Sequence, residues 1–554
     1  MLGSPSGLIG GKIDTIVATL RRSHFAESLT DDDLQRVAAY MVFQSLYTEV
    51  PSLGKSLIRS LDADFGSNAL AARRNRNLRV VGILGSDSRP HSLVQPLLAA
   101  LTSRGQRLAH IGRDPETVRA IACRTEPLVN SRGDLRPVEE LSERITHLLK
   151  RHHRVIVDLT GDFPADGVAG ILSVCEEIFG LIDSGCQQRS QRVLRDLLTS
   201  SPELSSRLRT IWVLRPPQLV TPSSQVSWEN GNRNFVVQLA ESPERPTRLQ
   251  QQGIDRIVRH ISGIRLGLAL GGGAARGMAH FGVLRAFNRA GIGFDMVAGT
   301  SAGAMVGIPY AAGYDPELAI ERYAADLTPP RLYRLLPGGL QWYLMIKYRT
   351  DAWDRMLRRY FFDWRLEQLQ VPMFTVAVDL VSGSQIVRDS GDAVHALAES
   401  INLPILARPI CRDGMALVDG GVLNTLPTKV LADRGADLVV GVSVSGKIRR
   451  EFCGNQADTE IAVMQRPGTL QTLRRVLEMQ DHALKRIDAQ AADLLIEPDA
   501  TSFDMADFSR TAEIAAAGEA AAELAIGDLK SRIAELERRA MQEVEVVREV
   551  PTSS

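Results

Sequence analysis

The 554-residue chain has no excess of charge of either sign, because Lys+Arg and Asp+Glu each number 65. A balanced chain casts no long-range field that would gather nucleic acid or an anionic bilayer, so no nucleic-acid partner is expected, although a local patch stays open. Cysteine is scarce. The five present, Cys123, Cys175, Cys186, Cys411 and Cys453, are odd in number, far apart, and show neither CxxC pairs nor metal-ligand spacing. That argues against a disulfide framework and against a metal site, and it fits a reducing compartment. No run approaches the ~18–20 apolar residues that span a bilayer. The first residues, Met1-Leu-Gly-Ser-Pro-Ser-Gly7, lack the charged-then-apolar order of a secretory leader. The expectation is a cytoplasmic protein, at most peripheral on a membrane. Aromatic residues make up only 5% of the chain, so any concentration of them is a signal in itself.

What is there is an ordinary globular composition, 44% hydrophobic and 23% charged, on a chain long enough for three or four units at roughly 100–200 residues each. Residues 1–77 read as a short helical segment, with an acidic helix start at Asp31-Asp32-Asp33 running through Leu34, Val37, Ala38 and Met41. Gly54-Lys55-Ser56 has the ending of a phosphate loop, but Glu49 stands where its opening glycine belongs and no strand precedes it. Residues 78–262 alternate apolar strand runs (Leu78–Leu84, Arg107–Ile111, Val155–Asp158, Thr210–Leu214) with helical stretches. That rhythm predicts a doubly wound parallel sheet. The turn Gly85–Pro90 sits where phosphates bind in such folds, yet it has neither Gly-rich spacing nor a Gly-Lys-Ser/Thr ending. Val157-Asp158 is similar to the metal-holding strand end of an ATPase without its partner loop. The reading is a degenerate nucleotide-binding-like domain.

Residues 263–500 form a second α/β unit, with strands expected at Arg265–Leu270, Met296–Ala298, Met373–Val378 and Leu438–Ser443. Residues 501–554 read as a C-terminal helix whose stripe Leu529, Ile533, Leu536, Ala540 and Val544 packs on its own domain or on a partner.

Three motifs in the second unit carry chemistry. Gly299-Thr300-Ser301-Ala302-Gly303 is a G-x-S-x-G sequence between a short apolar strand and a helical stretch, and a nucleophile on so sharp a turn needs small residues on both sides. Gly271-Gly272-Gly273-Ala274-Ala275-Arg276-Gly277 lies between a strand and a helix and leaves backbone N–H groups uncovered, as an oxyanion hole requires. A dinucleotide turn is the competing reading, but Ala274 or Arg276 breaks each G-x-G-x-x-G register and Asp295 is in the wrong context for the ribose acid. Val418-Asp419-Gly420-Gly421 puts a carboxylate at a strand end beside two glycines, by itself an ordinary turn.

In this order the three motifs resemble those of patatin-like phospholipases, in which a Gly-rich oxyanion loop precedes a G-x-S-x-G elbow and a distant D-G-G supplies the base. The resemblance extends to Met278–Leu284, Phe294-Asp295, Ala398–Pro404, Pro409 and Asn424–Pro427 and covers about residues 266–432. The region before it is similar, more weakly, to neuropathy target esterase-like proteins. The fold implied for 263–500 is a three-layer α/β hydrolase. The activity implied is hydrolysis of a phospholipid or lysophospholipid ester without a cofactor or metal, through a dyad: Ser301 attacks and Asp419 takes its proton and later activates water. The oxyanion loop, Gly271, Gly272, Gly273, Ala274, Arg276 and Gly277, departs from the family where Ala274 replaces its middle glycine. Gly299 and Gly303 belong to the elbow, and Gly420 and Gly421 to the base motif. Histidine is absent from such a dyad, and His280 is read as a packed helix residue.

Between the motifs, Trp342, Tyr343, Tyr348, Trp353, Tyr360, Phe361, Phe362 and Trp364 gather with Arg349, Arg355, Arg358 and Arg359. A core helix is the first reading and a membrane-facing belt the second. Two other classes compete with the enzyme: a membrane-associated scaffold with an inactive hydrolase fold, and a nucleotide-regulated module centred on 78–262. Retention of Ser301, Asp419 and the glycines argues against the first, and the missing phosphate loop argues against ATP turnover in the second.

Overall fold

The computed structural model describes residues 77–549 except 86–90, 114–120, 122, 162, 164, 223–233, 241–245, 336–338, 340–341, 344–345, 348–351, 405, 445–450, 454 and 457–465. The expected helix at Asp31–Met41, Gly54-Lys55-Ser56, the rest of segment 1–77 before residue 77, the turn after Gly85, Tyr348 and Arg349 lie outside the described residues.

The first sheet has seven strands: β1 (Val80–Gly85), β2 (Leu108–Gly112), β3 (Arg124–Pro127), β4 (Arg154–Thr160), β5 (Glu177–Asp183), β6 (Leu208–Leu214) and β7 (Phe235–Gln238). They run parallel in the order β3-β2-β4-β1-β5-β6-β7. Alternate residues feed opposite faces, as the two-residue period of a strand requires. Val80, Leu84, Val155, Val157, Ile178 and Trp212 pack under helices α2 (Val138–Leu149), α3 (Ala165–Ser173) and α4 (Gln187–Ser200). Val81, Ile83, Ile156, Phe179 and Ile211 pack under α1 (His91–Ser103) and α5 (Arg248–Ile261). The expected doubly wound sheet is therefore present. Strands β3, β5 and β7 were not foreseen. Asp158, at the end of β4, is held by Thr160, whose N–H donates at 3.0 Å and whose hydroxyl also donates to it, and by His110 at 3.4 Å.

The second sheet has eight strands: β8 (Leu266–Leu270), β9 (Met296–Thr300), β10 (Met373–Asp379), β11 (Ser384–Arg388), β12 (Ile410–Arg412), β13 (Met415–Asp419), β14 (Leu438–Val442) and, beyond the small ribbon of β15 (Glu451–Phe452) and β16 (Asn455–Gln456), β17 (Leu494–Ile496). The order is β12-β13-β10-β9-β8-β14-β17, with β11 on β10. One face, through Leu266, Leu268 and Leu270, packs on α6 (Ala279–Arg289), α7 (Ala302–Ala312), α8 (Pro316–Leu327) and further helices. Ala269, Ala298 and Val376 on the other face meet Leu426, Val430 and Leu431. This is a three-layer α/β arrangement. Later in the chain come α9 (Arg331–Leu335), α10 (Ala352–Phe361), α11 (Ala393–Ser400), α12 (Thr428–Ala432), α13 (Thr469–Asp488) and α14 (Thr511–Glu549).

The two sheets are parts of one compact unit. Arg259 on α5, almost fully buried, grips Asp295 through Nε at 2.8 Å and Nη2 at 2.9 Å, and Asp295 also accepts the Leu266 N–H. Asp295 thus anchors the start of β8. Helix α14 buries the expected stripe at Leu529, Leu536, Ala540 and Val544, crosses α6, and reaches the end of α1 through an Arg104–Glu537 ion pair at 3.1 Å. Of the aromatic cluster, Trp353 and Phe361 are buried in the core, whereas Trp342 and Phe362 are 58% and 59% exposed.

Candidate active site

Strand register brings together Ser301 and Asp419, the two residues of the expected dyad. Thr300, at the end of β9, pairs with Val376 of β10, and Ala377, the next residue along β10, pairs with Asp419 of β13. Ser301 and Asp419 therefore stand at the same height on either side of β10. Two strand spacings separate their backbones, about 10 Å, a gap that a serine and an aspartate side chain leaning over the central strand can bridge.

Ser301 occupies a left-handed backbone position (φ 53°, ψ −118°) immediately before α7, a conformation that costs a non-glycine residue about 1–3 kcal/mol. The flanking glycines make that turn sterically feasible. A Cβ on Gly303 would lie 1.9 Å from the Leu270 carbonyl oxygen, and one on Gly299 would lie 2.5 Å from the Ala304 nitrogen. Ser301 is nearly buried. Its N–H donates to Ser400 Oγ at 3.0 Å, and the Ser400 hydroxyl in turn donates to the Val376 carbonyl at 2.6 Å.

Asp419 is 2% exposed. Its backbone N–H donates to the Asn402 carbonyl at 2.9 Å, and Oδ1 accepts the Gly421 N–H at 2.8 Å. Oδ2 is buried without a hydrogen-bonded partner among the described residues. Burial, with a smaller push from Asp481 and against the lowering effect of the Ser301 hydroxyl and the Gly421 N–H, brings the carboxyl up to about 6.

The Gly-rich loop runs past the serine: a Cβ on Gly272 would sit 3.4 Å from Ser301 Cβ, and one on Gly277 would sit 2.3 Å from Ala302 Cβ. Six residues of this loop were expected to form the oxyanion hole, and their amides prove unequal. Gly271 donates to the Val442 carbonyl at 3.0 Å, Gly272 to the Thr425 carbonyl at 2.9 Å, and Arg276 to the Gly273 carbonyl at 3.1 Å. Gly277 lies inside the 3₁₀ turn Ala274–Met278. The expectation narrows to the amides of Gly273 and Ala274, which have no acceptor among the described residues. Ala274 has φ 49°, so the alanine that replaces the family's glycine sits where glycine is favoured. The Arg276 side chain points away from any oxyanion, and its Nε donates to the Phe503 carbonyl at 2.8 Å.

His280 is fully buried, and its Nε2–H donates to the Gly271 carbonyl at 2.8 Å rather than to either dyad residue. Burial, helped by Lys485 and opposed by the hydrogen bond to Gly271, brings its imidazole down to about 4, which keeps it neutral. It braces the loop, in keeping with its reading as a packed residue.

The motif reading assigned no role to Ser400, Asn402 or Asp488. Asp488 accepts the N–H groups of Thr425 and Leu426 at 2.8 and 3.1 Å and so holds the segment that holds Gly272. The signal for the first two was present in Ala398–Pro404, whose sequence matched the family without indicating what each residue touches.

With this geometry in place, the comparisons with known proteins carry weight. Residues 268–432 match the patatin-like phospholipase family. The chain carries a patatin-like phospholipase domain. Around that domain it is 27% identical over 541 residues to an uncharacterized NTE family protein of Mycobacterium tuberculosis, a match covering 92% of this chain and 83% of the relative. The patatin-like region is 31% identical to patatin-like phospholipase domain-containing protein 6 of Homo sapiens over 210 residues, 37% of this chain and 14% of that protein. It is 32% identical to the lysophospholipase NTE1 of Kluyveromyces lactis over 192 residues, 34% of this chain and 13% of that protein. The patatin-like domain thus sits in a chain similar along most of its length to NTE family proteins. Among solved structures, VipD from Legionella pneumophila aligns over 48% of this chain and 66% of its own at 13% identity, with a TM-score of 0.27.

Proposed function

We propose that the chain is a serine acyl hydrolase that cleaves a carboxylic ester of a phospholipid or lysophospholipid, with Ser301 as nucleophile and Asp419 as its acid/base partner. Asp419 Oδ2 takes the Ser301 proton as Oγ attacks the ester carbonyl. The tetrahedral oxyanion is received by the amides of Gly273 and Ala274, and the first amide of α7, on Ala302, adds its helix N-terminus. Collapse releases the lysophospholipid or, from a lysophospholipid, the glycerophosphodiester, its oxygen taking the proton returned from Asp419. Asp419 then activates water to free the fatty acid. The single observation that carries this reading is the register across β10, which sets a buried carboxylate with one open oxygen level with a strained serine. The relatives' names support a lipid as substrate. A peripheral contact with a membrane is supported by the exposed Trp342 and Phe362. The inactive-scaffold alternative fares worse, since a turn strained by about 1–3 kcal/mol is hard to explain if the serine does nothing.

A fluorophosphonate ester tests the assignment. It should label Ser301 covalently and completely, and Ser301→Ala should abolish both labelling and esterase activity while leaving the circular dichroism spectrum unchanged. Labelling that persists in the variant would place the nucleophile elsewhere.

A further inference from the structure

A cavity of about 770 Å³ is lined in part by Ala398, Ile401 and Asn402, from the segment that contacts Ser301 and Asp419. Its cations are Lys347, Arg408 and Arg412, and its apolar wall includes Trp353, Ile401 and Ile410. The volume is within the range of small-molecule sites, roughly 300–1,000 Å³.

Of the three cations, Arg412 is paired with a carboxylate, and Lys347 and Arg408 make no ion pair among the described residues. Lys347 is 9% exposed, and its ammonium donates to the Asp326 carbonyl oxygen at 2.6 Å and lies 5.1 and 5.3 Å from the ring centroids of Tyr343 and Trp353. No carboxylate lies within ion-pair distance of it among the described residues; the Asp326 carboxylate is taken by Arg359 and Tyr360. Arg408 is exposed and makes no ion pair among the described residues. Arg412 shares buried Glu399 with Arg388, which leaves that trio with one net positive charge. The lining's acid, Asp354, lies 3.7 Å from Arg358. The Asp326 carboxylate acts on the Lys347 ammonium from beyond ion-pair distance, and a buried ammonium without a carboxylate in direct contact gains from an anion.

The cavity shares its wall with the catalytic pair. Asn402 lines it, accepts the Asp419 N–H on its carbonyl at 2.9 Å, and donates from Nδ2 to the Arg408 carbonyl at 2.9 Å. Ala398 and Ile401 also line it, and Ser400 between them holds the Ser301 N–H. The segment 398–402 therefore contributes both to the cavity lining and to the backbone contacts of Ser301 and Asp419.

We propose that this cavity seats the phosphate of a glycerophospholipid head group, with Lys347 and Arg408 as its ligands and Trp353 and Ile401 against the adjoining carbons. This deepens the hydrolase reading and rests on it for the identity of the lipid. The affinity for a phosphate ester does not depend on catalysis.

The test uses the full chain. Glycerophosphocholine and inorganic phosphate are titrated calorimetrically into the Ser301→Ala protein. Saturable binding of glycerophosphocholine is expected, weakened tenfold or more by Arg408→Gln, which changes an exposed side chain, and by Lys347→Met. Absence of saturable binding overturns the proposal. Equal affinity for inorganic phosphate, with no gain from the glycerol ester, overturns the head-group assignment.

A kinetic arm compares a lysophosphatidylcholine with the monoacylglycerol of the same acyl chain. Arg408→Gln should lower the ratio of the two kcat/KM values tenfold or more, mainly through KM. An unchanged ratio, whether from no loss or from equal loss on both esters, overturns the proposal. A chain that binds glycerophosphocholine but hydrolyses neither ester leaves the cavity assignment standing and removes the hydrolase reading instead.

Discussion

Asp419 is a buried acid whose pKa has been raised, and the sign of that shift fixes two outcomes. The carboxyl holds its proton up to about pH 6 in the folded chain, against roughly 3.9 when unfolded. The folded state therefore binds this proton more tightly. The group costs stability above pH 6, and the cost disappears as pH falls towards 4. Asp419→Asn should accordingly raise stability at pH 8 by about 2–3 kcal/mol, with the gain vanishing near pH 4 in denaturant titrations. The same substitution removes the proposed proton acceptor, so kcat/KM should fall by about a thousandfold or more, as for groups that act as one unit. In the unsubstituted chain, kcat/KM should rise about tenfold per pH unit below 6 and flatten above 7. His280 titrates near 4, so a limb at 6 cannot be its own. His280→Gln should keep much of the activity, because an amide N–H can replace the donor to the Gly271 carbonyl. A dead His280→Gln that still folds, beside an active Asp419→Asn, would require a different mechanism.

At the scale of elements, the crossing of α6 and α14 has the least tolerance. A Cβ on Gly282 would sit 1.7 Å from the Ala515 carbonyl oxygen, and one on Gly518 would sit 1.9 Å from that of Ala279. The two helix backbones touch there, directly beneath the oxyanion loop. Gly518→Leu should therefore lower stability by about 2–4 kcal/mol, read by thermal or denaturant unfolding; a loss under 0.5 kcal/mol would mean the crossing is looser than drawn. What was legible in the sequence follows the same logic. Glycines that the elbow and loop require sterically leave a visible motif, so Ser301, Asp419 and the glycine stretch could be named at once. The stripe on α14 was legible from its helical spacing. Ser400, Asn402 and Asp488 were not, because each acts through a contact set by strand pairing or helix docking many residues away. Which loop amides are engaged was equally hidden, since Val442 and Thr425 reach Gly271 and Gly272 only after β14 and the 424–427 segment have docked. Strands β3 and β7 are four-residue edges, too short to show a period.

Taken whole, the molecule joins a seven-stranded parallel sheet to a patatin-like layer through α5, Asp295 and α14. The Asp158 carboxylate, engaged by Thr160 and His110, offers little to a magnesium nucleotide, and the Gly-Lys-Ser/Thr ending is missing from Gly85–Pro90. The full chain with ATP and magnesium should release no phosphate above background, and turnover that follows enzyme concentration would contradict this. The central claim concerns the other sheet. The most direct measurement is fatty acid released from a lysophospholipid by the purified full-length chain, beside Ser301→Ala prepared identically. The account expects release that grows linearly with wild-type protein and falls to background in the variant. Equal release from both proteins would contradict it.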